Sequence, residues 1–508
     1  MSRYSVTTAI SYPNGRPHIG HAYEAIATDW LARFARLDGR ETYFLTGTDE
    51  HGLKIAQAAR AAGLEPKAYV DGMALYFREM AEGLQISCDR FIRTTDADHK
   101  AAAQALWQRM ADAGDLYLGR YEGWYSVRDE AYYEEGETEF RDGVRVAPTG
   151  TPVEWTVEES WFFRLSKYQE PLLALYAAQP DFVQPASRIN EMRAFVERGL
   201  QDLSVSRTSF DWGVPVPGSP GHVMYVWVDA LANYLTPTVE AGGTWPWPPD
   251  LHVIGKDVVR FHAVYWPAFL MSAGLSLPAR VFGHGFVLNR GAKMSKSSGN
   301  VVEPLQLAER YGLDPFRYFL LRAIAFGQDG EWSHETIVRR INADLANDLG
   351  NLAQRTLSMI AKACGGVLPG PGQETAEDRA LAVLMSGMLE RCREAHRAVR
   401  PDLALDAIWE GVGAINQYLS DTAPWALRKT DPARADAILY RAAEGIRRVA
   451  LLVQPAMPAS GAKLLDLLAV PADARAFDAF DHALVPGTVL PAPIGLFPRI
   501  VEEEVSPA

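Results

Sequence analysis

Ala9-Ile10-Ser11-Tyr12-Pro13-Asn14-Gly15-Arg16-Pro17-His18-Ile19-Gly20-His21 is the stretch on which the reading of the fold turns. It follows a short β-type run, Tyr4 to Ile10. It precedes a helical run in which Ile26, Trp30, Phe34 and Leu37 recur on one face, with Ala27 and Leu31 beside them. A strand, a turn with Gly and Pro, and then a helix bring backbone N–H groups and the positive end of the helix dipole to one point, where an anion can sit. The usual glycine fingerprint of such turns is absent, and His18-Ile19-Gly20-His21 stands in its place. Gly20 admits close approach of a ligand to the backbone. Two imidazoles a turn apart can donate to a phosphate, or to the charge that builds up while phosphorus is attacked. By themselves, two histidines near a turn read equally well as ordinary surface residues.

Far downstream, Lys293-Met294-Ser295-Lys296-Ser297 runs into Ser298-Gly299-Asn300, a polar loop with two ammonium groups. Alone it reads as a solvated loop or a nucleic-acid patch. Together and in this order, the two motifs resemble the signature pair of class I aminoacyl-tRNA synthetases. The chain resembles the methionyl-tRNA synthetases among them, from about Tyr4 into its C-terminal helical region. The resemblance implies an α/β chain: a Rossmann-type parallel-sheet catalytic domain split by an insertion, followed by an all-α helical bundle. It implies a ligase that joins methionine and ATP into methionyl-adenylate and pyrophosphate, then charges the 3′ end of tRNA(Met), the initiator included. The alternatives are a class I activating enzyme for another amino acid and an RNA-binding relative that has lost catalysis.

Composition bounds these readings. At 508 residues the chain exceeds one core, so about two to four domains are expected. Hydrophobic residues make up 48% and charged residues 22%, which excludes a disordered or fibrous class. The cysteines, Cys88, Cys364 and Cys392, are far apart, which fits a reducing compartment and offers no disulfide framework. No signal peptide is visible, and the longest apolar run, near Ala263 to Leu275, is too short and interrupted to span a bilayer. A cytoplasmic protein with no membrane partner is expected. The net charge of −13 argues against a surface that binds polyanions everywhere. Arg391, Arg393, Arg397 and Arg400 on one late helix, and Arg447-Arg448 on another, suggest a local basic track.

Texture along the chain suggests five segments. Residues 1–112 read as the first half of the Rossmann domain, with strands at Thr42–Thr46 and Arg90–Thr94. Residues 113–225, crowded with Tyr117, Tyr121, Trp124, Tyr125, Tyr132 and Tyr133, read as a connective insertion. Many members of the resembled family carry a cysteine zinc knuckle there. This chain has no cysteine between 113 and 225, and its one histidine is His222, so no zinc is expected. Residues 226–288 resume the α/β pattern, with strands at Leu251–Ile254 and Val281–Leu288 and a helix through Phe261, Tyr265 and Phe269. Residues 289–340 hold the lysine loop and a linker. Residues 341–508 read as the helical anticodon-binding domain, ending in a loosely packed proline-rich tail from about 485.

The resemblance also assigns residues. His18, Gly20, His21, Lys293 and Lys296 are implied as catalytic. Contacts to ATP, which arrives with Mg²⁺, are implied for His18, Gly20, His21, Gly255, Asp257, His284, Gly285, Val287 and Lys296. A methionine pocket is implied for Ala9, Ile10, Tyr12, Asp49, Trp227, Ala230, Leu231, Tyr234, Phe261 and His262. Asp49, at a strand end in Gly47-Thr48-Asp49-Glu50-His51-Gly52, suits the ammonium, although it reads equally as a helix cap. Aromatic walls suit a polarisable thioether, although each aromatic taken singly reads as core. Asn351 and Arg355, four apart on one helix face, and Pro424-Trp425 are the implied anticodon contacts, combining hydrogen bonding with stacking. No further C-terminal domain is visible, so a monomer is expected.

Overall fold

The computed structural model describes residues 2–129, 131–238, 245, 247–289, 292–293 and 302–501. They form two compact units. One comprises Ser5–Pro17 and Tyr43–His284, the other Met1–Tyr4, His18–Thr42 and Gly285–Ala508.

The first unit is organised by a six-stranded sheet of β1 (Arg3–Thr8), β2 (Glu41–Thr48), β3 (Arg90–Arg93), β4 (Val183–Gln184), β5 (Leu251–Gly255) and β6 (Val281–His284). The spatial order is β3-β2-β1-β5-β6-β4. The pairs β2–β3, β1–β5, β5–β6 and β6–β4 are parallel. A parallel sheet covered on both faces needs apolar strands, and Leu251, Val253, Ile254, Val281 and Phe282 are buried accordingly. The strand order reverses between β1 and β5. In open α/β sheets a crevice opens at that point, outside the C-terminal strand ends. Here the Ala9 N–H donates to the Val253 carbonyl at 3.1 Å and keeps the chain in register as it leaves β1.

The insertion is built on a long antiparallel pair, Leu116–Ser126 with Glu154–Phe163. Beside it lies a small satellite core of Tyr133, Ala147 and Val153, with Trp124 packed against it. Such a core is too small to hold loops on hydrophobic burial alone. One carboxylate oxygen ties them: Asp129 Oδ2 accepts from Ser126 at 3.1 Å, Tyr133 at 3.0 Å, and Thr149 and Thr151 at 2.5 Å each. Among the described residues no group of three or more His, Cys, Asp or Glu could hold a metal ion, and no helix is long and apolar enough to cross a membrane.

The expected strand Val281–Leu288 is in fact two. β6 stops at His284, and Val287–Asn289 pairs instead with Gly330–Trp332 and Ala292–Lys293. The break falls at Gly285, where an added Cβ would lie 2.2 Å from the carbonyl carbon and oxygen of Gln328, so only glycine lets the two backbones meet.

The second unit is largely helical and includes the Ile19–Leu37 helix that follows the His18–His21 turn. That helix is anchored by a fully buried ion pair. Arg317 Nη2 donates to Asp29 Oδ2 at 2.6 Å and to the Pro455 carbonyl, and Nε donates to the Ala456 carbonyl. Further along, Arg393 bonds Asp38 and the His396 ring meets the Leu31 carbonyl. The expected basic track is therefore not a track. Arg391 pairs with Glu410, Arg393 with Asp38, Arg397 with Glu390, Arg400 with Asp402, and Arg447 and Arg448 with Glu444. The tail is also tied down rather than loose over its described part, up to residue 501. Leu490 N–H donates to the Gly366 carbonyl, Leu368 N–H to Thr488, and Asn342 makes reciprocal bonds with the Ile500 backbone.

These contacts make the Asp129 hub a stability element. Burial alone would raise its carboxyl, but the surrounding hydroxyls hold it below the usual carboxylate range. Its contribution is present above the ordinary carboxylate pKa and is lost as the pH falls through the depressed native one. Asp129→Ala should cost the insertion about 1–3 kcal/mol. Amide exchange across residues 126–153 should speed up while the β1–β6 sheet stays protected. Unchanged exchange there would remove Asp129 from this role.

Candidate active site

The crevice end of the sheet is shaped by backbone. Ser11 N–H donates to the Gly47 carbonyl at 2.9 Å and Asp49 N–H to the Ser11 carbonyl at 2.8 Å, so the loop after β2 lies along the segment after β1. This brings Asp49, which is buried, alongside the Ile10–Tyr12 segment through Ser11. The next residue, Glu50, is fully buried and saturated. Arg93 grips both oxygens at 2.6 and 2.9 Å, and Thr48 and Thr95 donate at 2.7 and 2.6 Å. The loop is therefore stiff.

The aromatic residues gather on two short helical segments. Trp227, on the Val226–Ala232 helix, stacks on Phe261 with centroids 3.7 Å apart and planes 7° from parallel. The His262 ring stands edge-on to Trp227. Ala230, Leu231 and Tyr234 are buried, and Tyr234 Oη lies 2.7 Å from His262 Nε2. His262 Nδ1 faces the Val258 carbonyl at 2.9 Å. A carbonyl only accepts, so Nδ1 carries the proton and Nε2 accepts from the Tyr234 hydroxyl. Burial pushes the His262 imidazole down to about 4, with the Val258 bond opposing, so it is neutral at physiological pH. Beneath it, His252 packs against Tyr234 with the rings tilted by 37° and bonds Thr7, and burial together with His262 holds it well below its ordinary value.

Gly255 and His284 end β5 and β6 as register partners, and Asp257 follows one turn on. An added Cβ at Gly255 would lie 2.7 Å from Asp257 Oδ1, so the glycine makes room for that carboxylate. Gly285 and Val287 belong to the other compact unit, as do His18, Gly20 and His21.

The His18–His21 turn is a capping box made of imidazoles. The Gly20 N–H donates to His18 Nδ1 at 3.1 Å, and the His18 N–H donates to His21 Nδ1 at 3.1 Å. Each Nδ1 is thus an acceptor, which makes each neutral ring an Nε2–H donor. The rings lie 3.9 Å apart. Gly20, read from sequence as room for a ligand, is also room for His18: a Cβ would come within 2.9 Å of its Cε1. Lys293 lies in the Ala292–Lys293 strand, while Met294–Asn300, with Lys296, lie outside the described residues.

At the helical end, the Arg355 guanidinium sits over the Trp425 ring, 5.7 Å from its centroid, and reaches Asn416 at 3.4 Å. Trp425 is half exposed, Asn351 is exposed one turn before Arg355, and Pro424 is buried at the start of the Pro424–Leu427 turn.

Sequence reasoning missed a buried constellation behind the pocket. Asp229 lies between His51 Nδ1 and His99 Nε2, 2.6 Å from each. The available signal was an acid alone within Val226-Trp227-Val228-Asp229-Ala230-Leu231-Ala232.

Comparison with known proteins matches this geometry to a family. Residues 4–357 fit the model for "tRNA synthetases class I (M)", and residues 368–507 fit "Anticodon binding domain of methionyl tRNA ligase". The chain is 60% identical over 512 residues to a methionine–tRNA ligase of Mesorhizobium japonicum, covering 99% of both. A Mycobacterium tuberculosis methionyl-tRNA synthetase in complex with methionyl-adenylate superposes with a TM-score of 0.95 at 57% identity, covering 98% of this chain and 100% of that one. The apo form of the Mycobacterium tuberculosis protein superposes at 0.89 with 53% identity, covering 99% of each chain. With both family models and full-length relatives in agreement, the chain belongs to the methionyl-tRNA synthetases of class I.

Proposed function

We propose a residue-level account of a methionine–tRNA ligase, carried by one observation: a stacked Trp227–Phe261 pair beside a neutral His262, at the sheet edge that holds buried Asp49. The chain activates methionine with ATP to methionyl-adenylate and charges tRNA with it. Asp49 takes the α-ammonium, with the Ala9 and Ile10 backbone beside it. Tyr12, Trp227, Ala230, Leu231, Tyr234, Phe261 and His262 enclose the thioether. Sulfur–aromatic contacts of this kind are worth roughly 0.3–1.5 kcal/mol.

The α-carboxylate oxygen attacks the α-phosphorus of ATP, and the bond to the bridging oxygen breaks as pyrophosphate leaves. His18 and His21 offer Nε2–H donors to the charge that develops on phosphorus. Lys293 and Lys296 neutralise the departing pyrophosphate, and Mg²⁺ enters with ATP as part of the substrate. Gly255, Asp257, His284, Gly285 and Val287 contribute to the adenosine side. The aminoacyl group then passes to the 2′-hydroxyl of the terminal adenosine, with release of AMP. Asn351, Arg355, Pro424 and Trp425 read the anticodon by hydrogen bonds and stacking. The working form is a cytoplasmic monomer acting on tRNA(Met), with no zinc.

Pyrophosphate exchange screened over twenty amino acids tests the substrate. Methionine should lead by at least tenfold, because a pocket discriminates one methylene by about 1–3 kcal/mol. Exchange led by another amino acid would overturn the reading. Lys296→Ala should slow adenylate formation on the order of a hundredfold or more, and normal exchange in that variant would take Lys296 out of the chemistry. Trp425→Ala should weaken tRNA charging about tenfold, the value of one lost stacking contact, with tRNA-free exchange near normal. Equal loss of both would count against anticodon contact.

The neutral state of His262 has its own signature. Between pH 6.5 and about 4 the unfolded chain takes a proton that the native ring refuses. Native stability is therefore full above 6.5 and declines as the pH falls toward 4. His262→Gln should flatten this part of the stability curve in urea denaturation, and an unchanged slope would contradict the buried neutral ring.

A further inference from the structure

Asp229 stands inside an otherwise apolar helical turn and is completely buried. A bare carboxylate in such a place would be very costly. Burial alone would raise its carboxyl, but the charge and hydrogen bond of His51 and the bond from His99 hold it well below the usual carboxylate range. His51 Nδ1 is 2.6 Å from Oδ2, and His99 Nε2 is 2.6 Å from Oδ1. A carboxylate accepts only, so both imidazoles donate, and their ring orientations are set by it. On the far side of His99, Nδ1 faces the Thr236 hydroxyl at 3.5 Å.

The three residues come from three separate stretches. His51 is two positions past Asp49, in the loop after β2. His99 is in the first turn of the Ala97–Asp112 helix. Asp229 shares its helix with Trp227, Ala230 and Leu231. No step of adenylate formation uses this cluster. Methionine carries its ammonium and its thioether a fixed span apart, so a site that binds both must hold their partners at a fixed separation. Short charge-assisted bonds between fully buried groups are the stiff connection available for that purpose.

We propose that Asp229, through His51 and His99, is a positioning residue that sets the separation between the Asp49 carboxylate and the Trp227–Phe261 stack, and thereby methionine affinity. The inference rests on the assignment of Asp49 and Trp227 to the methionine site.

The test is pyrophosphate exchange by the full chain, with methionine and ATP varied separately. Asp229→Asn places an amide N–H against an imidazole N–H. His99→Phe removes one donor, whereas His99→Gln supplies another. Asp229→Asn and His99→Phe should each raise the methionine KM about tenfold, with the ATP KM within about twofold of wild type. His99→Gln should stay within about threefold of wild type for both substrates. A merely structural role lowers the active fraction, so kcat would fall in both disruptive variants with the methionine KM unchanged, and that result overturns the proposal. Equal KM values for His99→Phe and His99→Gln would do so as well, and this pair decides if Asp229→Asn gives no soluble protein. Wild-type protein without methionine-dependent exchange would instead defeat the functional assignment itself.

Discussion

Two backbone hydrogen bonds carry the order of neighbouring strands β1 and β2 beyond their C-terminal ends: Ser11 N–H to Gly47 and Asp49 N–H to Ser11. They make the residues after two parallel strands behave as one rigid strip. Gly47 is part of the constraint, since an added Cβ would lie 2.0 Å from the Ile92 carbonyl oxygen on β3. Once the strip is set, the Asp49 backbone cannot shift without breaking those bonds. Glu50 is locked by Arg93, and Gly52 N–H is held by the Trp212 carbonyl. Such support keeps a buried carboxylate in one place, because loops left to themselves open at little cost.

The interior around this strip separates two kinds of buried polar group. Asp229 keeps its charge, and each oxygen of Asp229 and of Glu50 has a donor within 2.9 Å. His262 and His252 do the opposite. Burial drives their protons off, and Val258 and Thr7 satisfy Nδ1 of each. The result is a neutral aromatic surface in front and a charged, fully paired layer behind. An unpaired charge beside the rings would draw in water and break up that apolar surface.

The sequence carried the fold well where periodicity and strand-end chemistry coincide. β1, β2, β3 and β5 lie within two or three residues of the runs seen at Tyr4, Thr42, Arg90 and Leu251. Val281–Leu288 misled because an apolar run is blind to the neighbour that cuts it, here Gln328 against Gly285. The arginine track misled for a related reason. Periodicity places Arg391, Arg393 and Arg397 on one helix but is silent about Glu410 and Asp38, which come from elsewhere in the chain. Of the candidate site, the aromatic pocket residues and the Arg355–Trp425 pair do stand together. The Asp229 layer was illegible because its three members are 48 and 130 residues apart and none belongs to a motif that names a reaction.

The paired arginines bear on how an acidic chain of net charge −13 handles a polyanion. Phosphate neutralisation is the usual source of nucleic-acid affinity, and here the arginines of the late helices are already committed to carboxylates. Breaking such a pair to reach a phosphate returns little, since the freed carboxylate then repels the same strand. Beside these pairs the described helical surface carries groups of another kind: an exposed Asn351, a guanidinium lying over an indole, and an indole face half open to water. Those groups offer stacking and in-plane hydrogen bonds, which act on splayed bases and fall away for a paired duplex.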